Sequence, residues 1–106
     1  MPDRVQRNDA AQHEVDKATP KLALYHYASC AFSLRVRNAI AALSIDIELR
    51  DILRDRNHMQ ELVAGGGRST VPCLRITADD GASEWMYEST DIVKYLVEQF
   101  APEELR

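Results

Sequence analysis

The chain has 106 residues, 45 % of them apolar and 28 % charged, enough for one domain with one core and too few for two. Four glycines and four prolines exclude a collagen-like or low-complexity chain. Thirteen basic against seventeen acidic side chains leave a formal charge of −4, with no cationic surplus to neutralise a phosphate backbone, so nucleic acid is not an expected partner.

No apolar run approaches the roughly 20 residues of a membrane span, so no membrane association is expected. The opening MPDRVQRNDAAQHEVDK has no apolar segment of the kind a secretory signal needs. The expected setting is a reducing cytoplasm, where two cysteines are catalytic or buried rather than bridged.

Residues 1–20 are polar and aperiodic, which predicts a flexible N-terminal arm or a short loose helix outside the core. A folded domain is expected over 21–101, with 102–106 as a C-terminal tail. Leu22 to Tyr27 is short, apolar and aromatic, as a buried central strand is. The period then changes. Phe32, Val36, Ala39, Ile40 and Leu43 share one face of a helix, with Arg35, Arg37 and Asn38 on the wet side and Ser29 as its cap. Ile45, Ile47 and Leu49 alternate with Asp46 and Glu48, predicting a half-exposed strand parallel to the first.

A brief helix is expected over His58 to Ala64, stopped by Gly65-Gly66-Gly67. Val71 to Ile76 reads as a third strand, and Glu84 to Tyr87 returns as the fourth through the turn residues Asp79-Asp80-Gly81. Ser89 is the expected cap of a last helix whose apolar face is Ile92, Val93, Leu96, Val97 and Phe100, ended by Pro102. The expected fold is α/β, βαβ followed by αββα: a four-stranded mixed sheet flanked by three helices.

Three features carry chemistry. Cys30 stands at a strand-to-helix junction in Cys30-Ala31-Phe32-Ser33. A free cysteine titrates at about 8.5, and the unpaired amides of a helix N-terminus lower that value. The amides near Phe32 and Ser33 would point at the sulfur, and the Ser33 hydroxyl would donate to it. Ser33 also stands where a two-cysteine motif holds its second thiol, leaving Cys30 without a resolving partner there. Read alone, the pattern fits an inert buried cysteine equally well. Thr70-Val71-Pro72 opens a strand with a proline, and only X-Pro bonds reach cis cheaply. A cis Val71-Pro72 would leave the Val71 N–H and C=O free to pair with an extended peptide lying across the cysteine; an ordinary edge-strand proline is the alternative. Glu88-Ser89 at a helix start offers a hydroxyl and free amides to a carboxylate and an acid to an ammonium group, which together fit an α-amino acid zwitterion. A plain helix cap beside a solvated acid is the simpler reading of that pair.

At these separations the three features resemble the glutaredoxin and glutathione-transferase N-terminal branch of the thioredoxin fold: L-Y-H-Y-x-S-C-A-F-S-x-R-V-R, T-V-P-C-L and Y-E-S-T-D-I-V-K-Y-L, spanning about Lys21 to Phe100. The resemblance implies a thioredoxin (glutaredoxin-like) fold with Cys30 as nucleophile and Ser33 in place of the second cysteine. It further implies that Val71 clamps the cysteinyl part of glutathione beside a cis Pro72, that Glu88 and Ser89 form the γ-glutamyl site, and that Phe32 joins the glutathione site. Arg68, just ahead of the clamp, is a candidate for the glycyl carboxylate, with a solvated loop arginine as the alternative.

The implied function is that of a glutathione-dependent thiol–disulfide oxidoreductase of monothiol type. Glutathione would be its cosubstrate, and glutathionylated proteins or small disulfides its partners. Alternatives are a glutathione-binding module holding a [2Fe-2S] cluster through Cys30 in a dimer, or a transferase-like domain without the helical second domain. Ala31 in place of glycine, and Tyr25-His26-Tyr27 in place of a late lysine, count against the cluster. Cys73 is expected in the core, Trp85 and Tyr95 as core aromatics, and His13, His26 and His58 show no metal-ligand spacing.

Overall fold

A computed structural model describes residues 4–105. Strand β1, Leu22–His26, is buried along its whole length because it lies inside the sheet with an element packed on either face. That is why it reads as a continuous apolar run rather than an alternating one. It pairs in parallel with β2, Glu48–Asp51, and antiparallel with β3, Cys73–Thr77, which in turn pairs antiparallel with β4, Ser83–Met86. The strand order is β2-β1-β3-β4. Helix α2, Ala31–Ala42, makes the crossover from β1 to β2, and α4, Ser89–Phe100, packs beside it. Leu22 and Leu24 reach the core under these two helices, against Val36, Ile40, Ile92 and Leu96. Ala23 and Tyr25 point the other way, to a smaller core with Ile52, Leu62 and Cys73 under α3, Arg56–Gly66. The expected mixed four-stranded α/β sheet of thioredoxin type is present.

Several local expectations change. The stretch anticipated as an arm or loose helix contains a helix, α1, Asp9–Ala18, capped by Asn8, whose side chain accepts from the Ala11 amide at 2.8 Å. It is a fourth helix with no fully buried residue, and its half-buried Val15 packs against the main core. Its lead-in is docked: the Val5 N–H donates to the Ala42 carbonyl at 2.8 Å, and the Arg7 guanidinium donates to the carbonyls of Phe100 and Ser44. Helix α2 begins after Cys30, not Ser29, so the cysteine itself is the cap. Phe32 leaves the apolar face and is 60 % exposed. Side chains tilt toward a helix N-terminus, so one in the first turn projects past the end of the sheet, and Ser33 takes the inward place with Val36 and Ile40.

Ile45 and Ile47 are buried, yet they precede β2 and reach the core from the extended link after α2, while Leu49 on this edge strand is exposed. Helix α3 runs through Gly65 and Gly66 and stops only at Gly67, whose φ of 89° ends it in the left-handed region. Both inner glycines admit rings: a Cβ at Gly65 would meet Trp85 at 2.0 Å, and one at Gly66 the Tyr87 hydroxyl at 1.9 Å. Val71 and Pro72 precede β3 instead of belonging to it. Glu88, not Ser89, caps α4, and does so without a side-chain hydrogen bond, leaving Ser89 as the first helical residue.

Truncating Leu24, fully buried in the central strand, removes packing that no neighbour can replace. Leu24→Ala should cost about 2–5 kcal/mol in urea unfolding, while Leu53→Ala, at an exposed site, should shift stability by no more than about 0.5 kcal/mol.

Candidate functional site: a thiol beside a groove

Strand β1 ends at His26, and the chain turns through Tyr27–Ser29 into the first turn of α2. The Arg37 guanidinium holds this turn by donating to the Ala28 carbonyl at 3.0 Å. Cys30 follows as the cap, and its Sγ accepts the Ser33 N–H at 3.4 Å. Across from it, the Val71 carbonyl oxygen stands 4.0 Å from the same sulfur. Burial pushes the Cys30 thiol up, because 9 % of the residue reaches solvent. The opposing contributions come from the Ser33 hydroxyl and amide, the Phe32 amide and the Tyr27 hydroxyl, and together they hold the thiol below its ordinary value. The Ser33 hydroxyl is fully buried and makes no hydrogen bond within the geometric limits among the described residues. A thiolate is the acceptor that would complete it.

The second cysteine is in the opposite state. Cys73 opens β3, is fully buried, and burial pushes its thiol up to about 11. Both cysteines are free.

The Val71–Pro72 peptide is cis, as the family resemblance implies, and not an ordinary edge-strand proline. Val71 stands outside the β3 pairing, so its amide and carbonyl are not used in the sheet. Together with Pro72 it forms part of the wall of a groove of about 320 Å³. The other walls are Phe32 and Arg35 from α2, Arg68 and Thr70 from the link after α3, and Tyr87, Glu88, Ser89 and Thr90 at the start of α4. Six anticipated site residues, Phe32, Arg68, Val71, Pro72, Glu88 and Ser89, thus meet in one place. Cys30 and Ser33 are not on the wall; they lie immediately beside it, through Phe32 and the Val71 carbonyl. The free amides of the first turn of α4 lie at the far edge. A larger hollow of about 530 Å³, bordered by Asp16, Thr19, Pro20, Leu22, Asp46 and Glu48, holds neither thiol nor any anticipated site residue.

By sequence Arg35 belongs to solvent, and Thr70, Tyr87 and Thr90 have no expected site role, yet all four line the groove. Thr70, Tyr87 and Thr90 stand inside the motifs T-V-P-C-L and Y-E-S-T-D-I-V-K-Y-L, beside residues that do carry an expected role, and that position is the available signal. Tyr27 has no expected role at the thiol, as strand, motif and Tyr25-His26-Tyr27 alike leave it unassigned, yet its hydroxyl acts on the Cys30 sulfur three residues on.

The two thiols should separate chemically. Iodoacetamide on the native protein should give one adduct, at Cys30, with Cys73 reacting only after unfolding, as read by peptide mass spectrometry. The rate of Cys30 alkylation should rise with pH through a midpoint below that of an ordinary thiol, and Ser33→Ala should move that midpoint upward.

The sequence profile described as "Glutathione S-transferase, N-terminal domain" matches residues 24–104. Among solved structures, the chain is similar to maleylacetoacetate isomerase from Anaeromyxobacter dehalogenans 2CP-1 with GSH bound in its active site, at 28 % identity and a TM-score of 0.59, over 78 % of this chain and 39 % of that one. It is similar also to glutathione transferase E6 from Drosophila melanogaster, at 28 % identity and a TM-score of 0.60, over 79 % of this chain and 37 % of the other. For TDR1, a trimeric glutathione transferase of Leishmania, the figures are 28 % identity and a TM-score of 0.63, over 76 % and 18 %. The chain spans about two fifths or less of the length of these proteins. No curated protein sequence matches it. Matched from its central strand to beyond its last helix, the chain belongs to the glutathione S-transferase N-terminal domain family.

Proposed function

We propose that this chain binds glutathione along the groove beside Cys30 and uses the Cys30 thiolate for thiol–disulfide exchange. The observation that carries the proposal is the sulfur itself: it caps a helix, accepts the Ser33 amide, and is held below its ordinary titration range although nearly buried. A structural cysteine in an apolar site is pushed the other way, as Cys73 is. Bound GSH in the similar isomerase structure supports the choice of ligand.

In this reading, the Val71 amide and carbonyl pair with the cysteinyl part of glutathione as an added strand would. Ser89 and the first amides of α4 take the γ-glutamyl carboxylate, and Glu88 takes its ammonium group. Phe32 covers the chain between, and Arg68 offers its guanidinium to the remaining carboxylate. The groove orients the disulfide for in-line attack, and that positioning is its contribution to rate.

The exchange runs in two balanced steps. The Cys30 thiolate attacks the glutathionyl sulfur of a protein–glutathione mixed disulfide; the Cys30–glutathione disulfide forms and the protein thiolate leaves. The thiolate of a second glutathione then attacks the glutathionyl sulfur bound to Cys30, releasing oxidised glutathione and restoring the Cys30 thiolate. Ser33 cannot resolve the intermediate, since a hydroxyl forms no disulfide, so the second thiol comes from outside the chain.

Turnover of a glutathionylated peptide, with reduced glutathione as the second substrate, tests the proposal. The natural sequence should catalyse release of the peptide thiol, Cys30→Ser should fall to the uncatalysed rate, and Cys73→Ser should turn over like the natural sequence. Activity surviving in Cys30→Ser would overturn the mechanism. So would conjugation of glutathione to an electrophile such as a halogenated nitrobenzene without any disulfide exchange.

A further inference from the structure

The groove contains a second arrangement, at Tyr87, that the proposal above does not use. Tyr87 follows β4 and directly precedes Glu88. Its phenol oxygen accepts the Arg68 N–H at 3.2 Å and donates to the Arg68 carbonyl at 3.0 Å. Its ring lies under the Arg68 guanidinium, 4.2 Å from ring centre to the central guanidinium carbon. One side chain therefore grips both main-chain groups and the cation of a residue nineteen positions away.

The grip matters because little else holds this segment. Residues 68–70 are exposed and, among the described residues, make no other hydrogen bond. They run from the left-handed Gly67 that ends α3 straight into Val71. Room for the phenol is provided by Gly66, where any Cβ would stand 1.9 Å from the hydroxyl. In its absence, the Arg68 head would sample many rotamers, and a ligand would have to order it on binding. A planar guanidinium already stacked on an aromatic ring presents its donors in a fixed direction, which suits a carboxylate.

We infer that Tyr87 is a positioning residue for glutathione: it fixes the Arg68 guanidinium over the groove so that it meets a carboxylate of the ligand with little further ordering. The inference rests on the glutathione reading above. Tyr87 acts on the ligand through Arg68; its hydroxyl also acts on the buried Cys73 thiol, and it is not among the groups that act on the sulfur of Cys30.

Calorimetric titration of the reduced full chain with reduced glutathione tests it. Tyr87→Phe keeps the ring under the guanidinium but loses both hydrogen bonds, and should weaken binding roughly three- to tenfold. Gly66→Ala keeps the tyrosine but should do the same, because the new methyl group displaces its hydroxyl. Arg68→Ala should weaken binding, and the Tyr87→Phe/Arg68→Ala double variant should bind no worse than Arg68→Ala alone. In both Tyr87→Phe and Gly66→Ala, the pH profile of Cys30 alkylation should stay that of the natural sequence, which a general loosening of the fold would not allow. Thermal melts of each variant check that it is folded.

Wild-type affinity in Tyr87→Phe and Gly66→Ala, or additive losses in the double variant, would overturn the inference and leave glutathione binding intact. Absence of glutathione binding by the natural sequence would instead remove the functional reading and the inference with it.

Discussion

A single hydrogen bond at the head of α2, from the Ser33 amide to the sulfur of Cys30, links the fold to its chemistry. Every helix begins with amides that lack an internal partner, and most chains satisfy them with an oxygen from Ser, Thr, Asp or Asn. Here a sulfur does so, and the same dipoles that need an acceptor stabilise its negative charge. Burial works against ionisation at this position, and the amides and hydroxyls of Phe32, Ser33 and Tyr27 outweigh it. At Cys73, burial prevails over the Tyr87 hydroxyl, Arg68 and the Met86 main chain, and the thiol is pushed up. Two cysteines in one small domain are thus pushed in opposite directions by the groups around each.

The groove follows from topology. Cys30, Val71 and Ser89 are far apart in the chain, but β1 and β3 are neighbours in the sheet and α2 and α4 pack side by side on it. The end of β1, the start of β3 and the start of α4 therefore converge at one edge, where main-chain groups are free and two helix N-termini begin. Val71 contributes because it stands just before pairing starts, and Ser89 because it stands just after the cap.

The parts most legible in the sequence were those governed by period. Leu22 to His26 announced a doubly buried strand, and Ile92, Leu96 and Phe100 a helix face, because burial on that scale leaves no choice of residue type. Single residues stood out where they do something few others do: Cys30 caps a helix with sulfur, and Pro72 follows a cis bond. Errors collected at ends, where period gives no information. Phe32 fits the apolar stripe of α2 by spacing, yet it lies beyond the sheet that would cover it. Gly65 and Gly66 look like a helix stop, yet the helix runs through them, and Trp85 and Tyr87 occupy the space their missing side chains leave. Tyr87 opens the motif Y-E-S-T-D-I-V-K-Y-L, but its contact with Arg68, nineteen residues upstream, is brought about only by the folded chain.

The burial of Cys73 has a consequence at the level of equilibrium. A domain with two exchangeable thiols closes on itself and releases two reduced glutathiones for each oxidised one consumed, so its state follows the square of the reduced concentration. With Cys73 sealed in the sheet, the chemistry proposed here stops at one mixed disulfide per chain. That equilibrium depends on the ratio of oxidised to reduced glutathione and is indifferent to the size of the pool. Diluting or concentrating both forms together would leave the degree of Cys30 modification where it was.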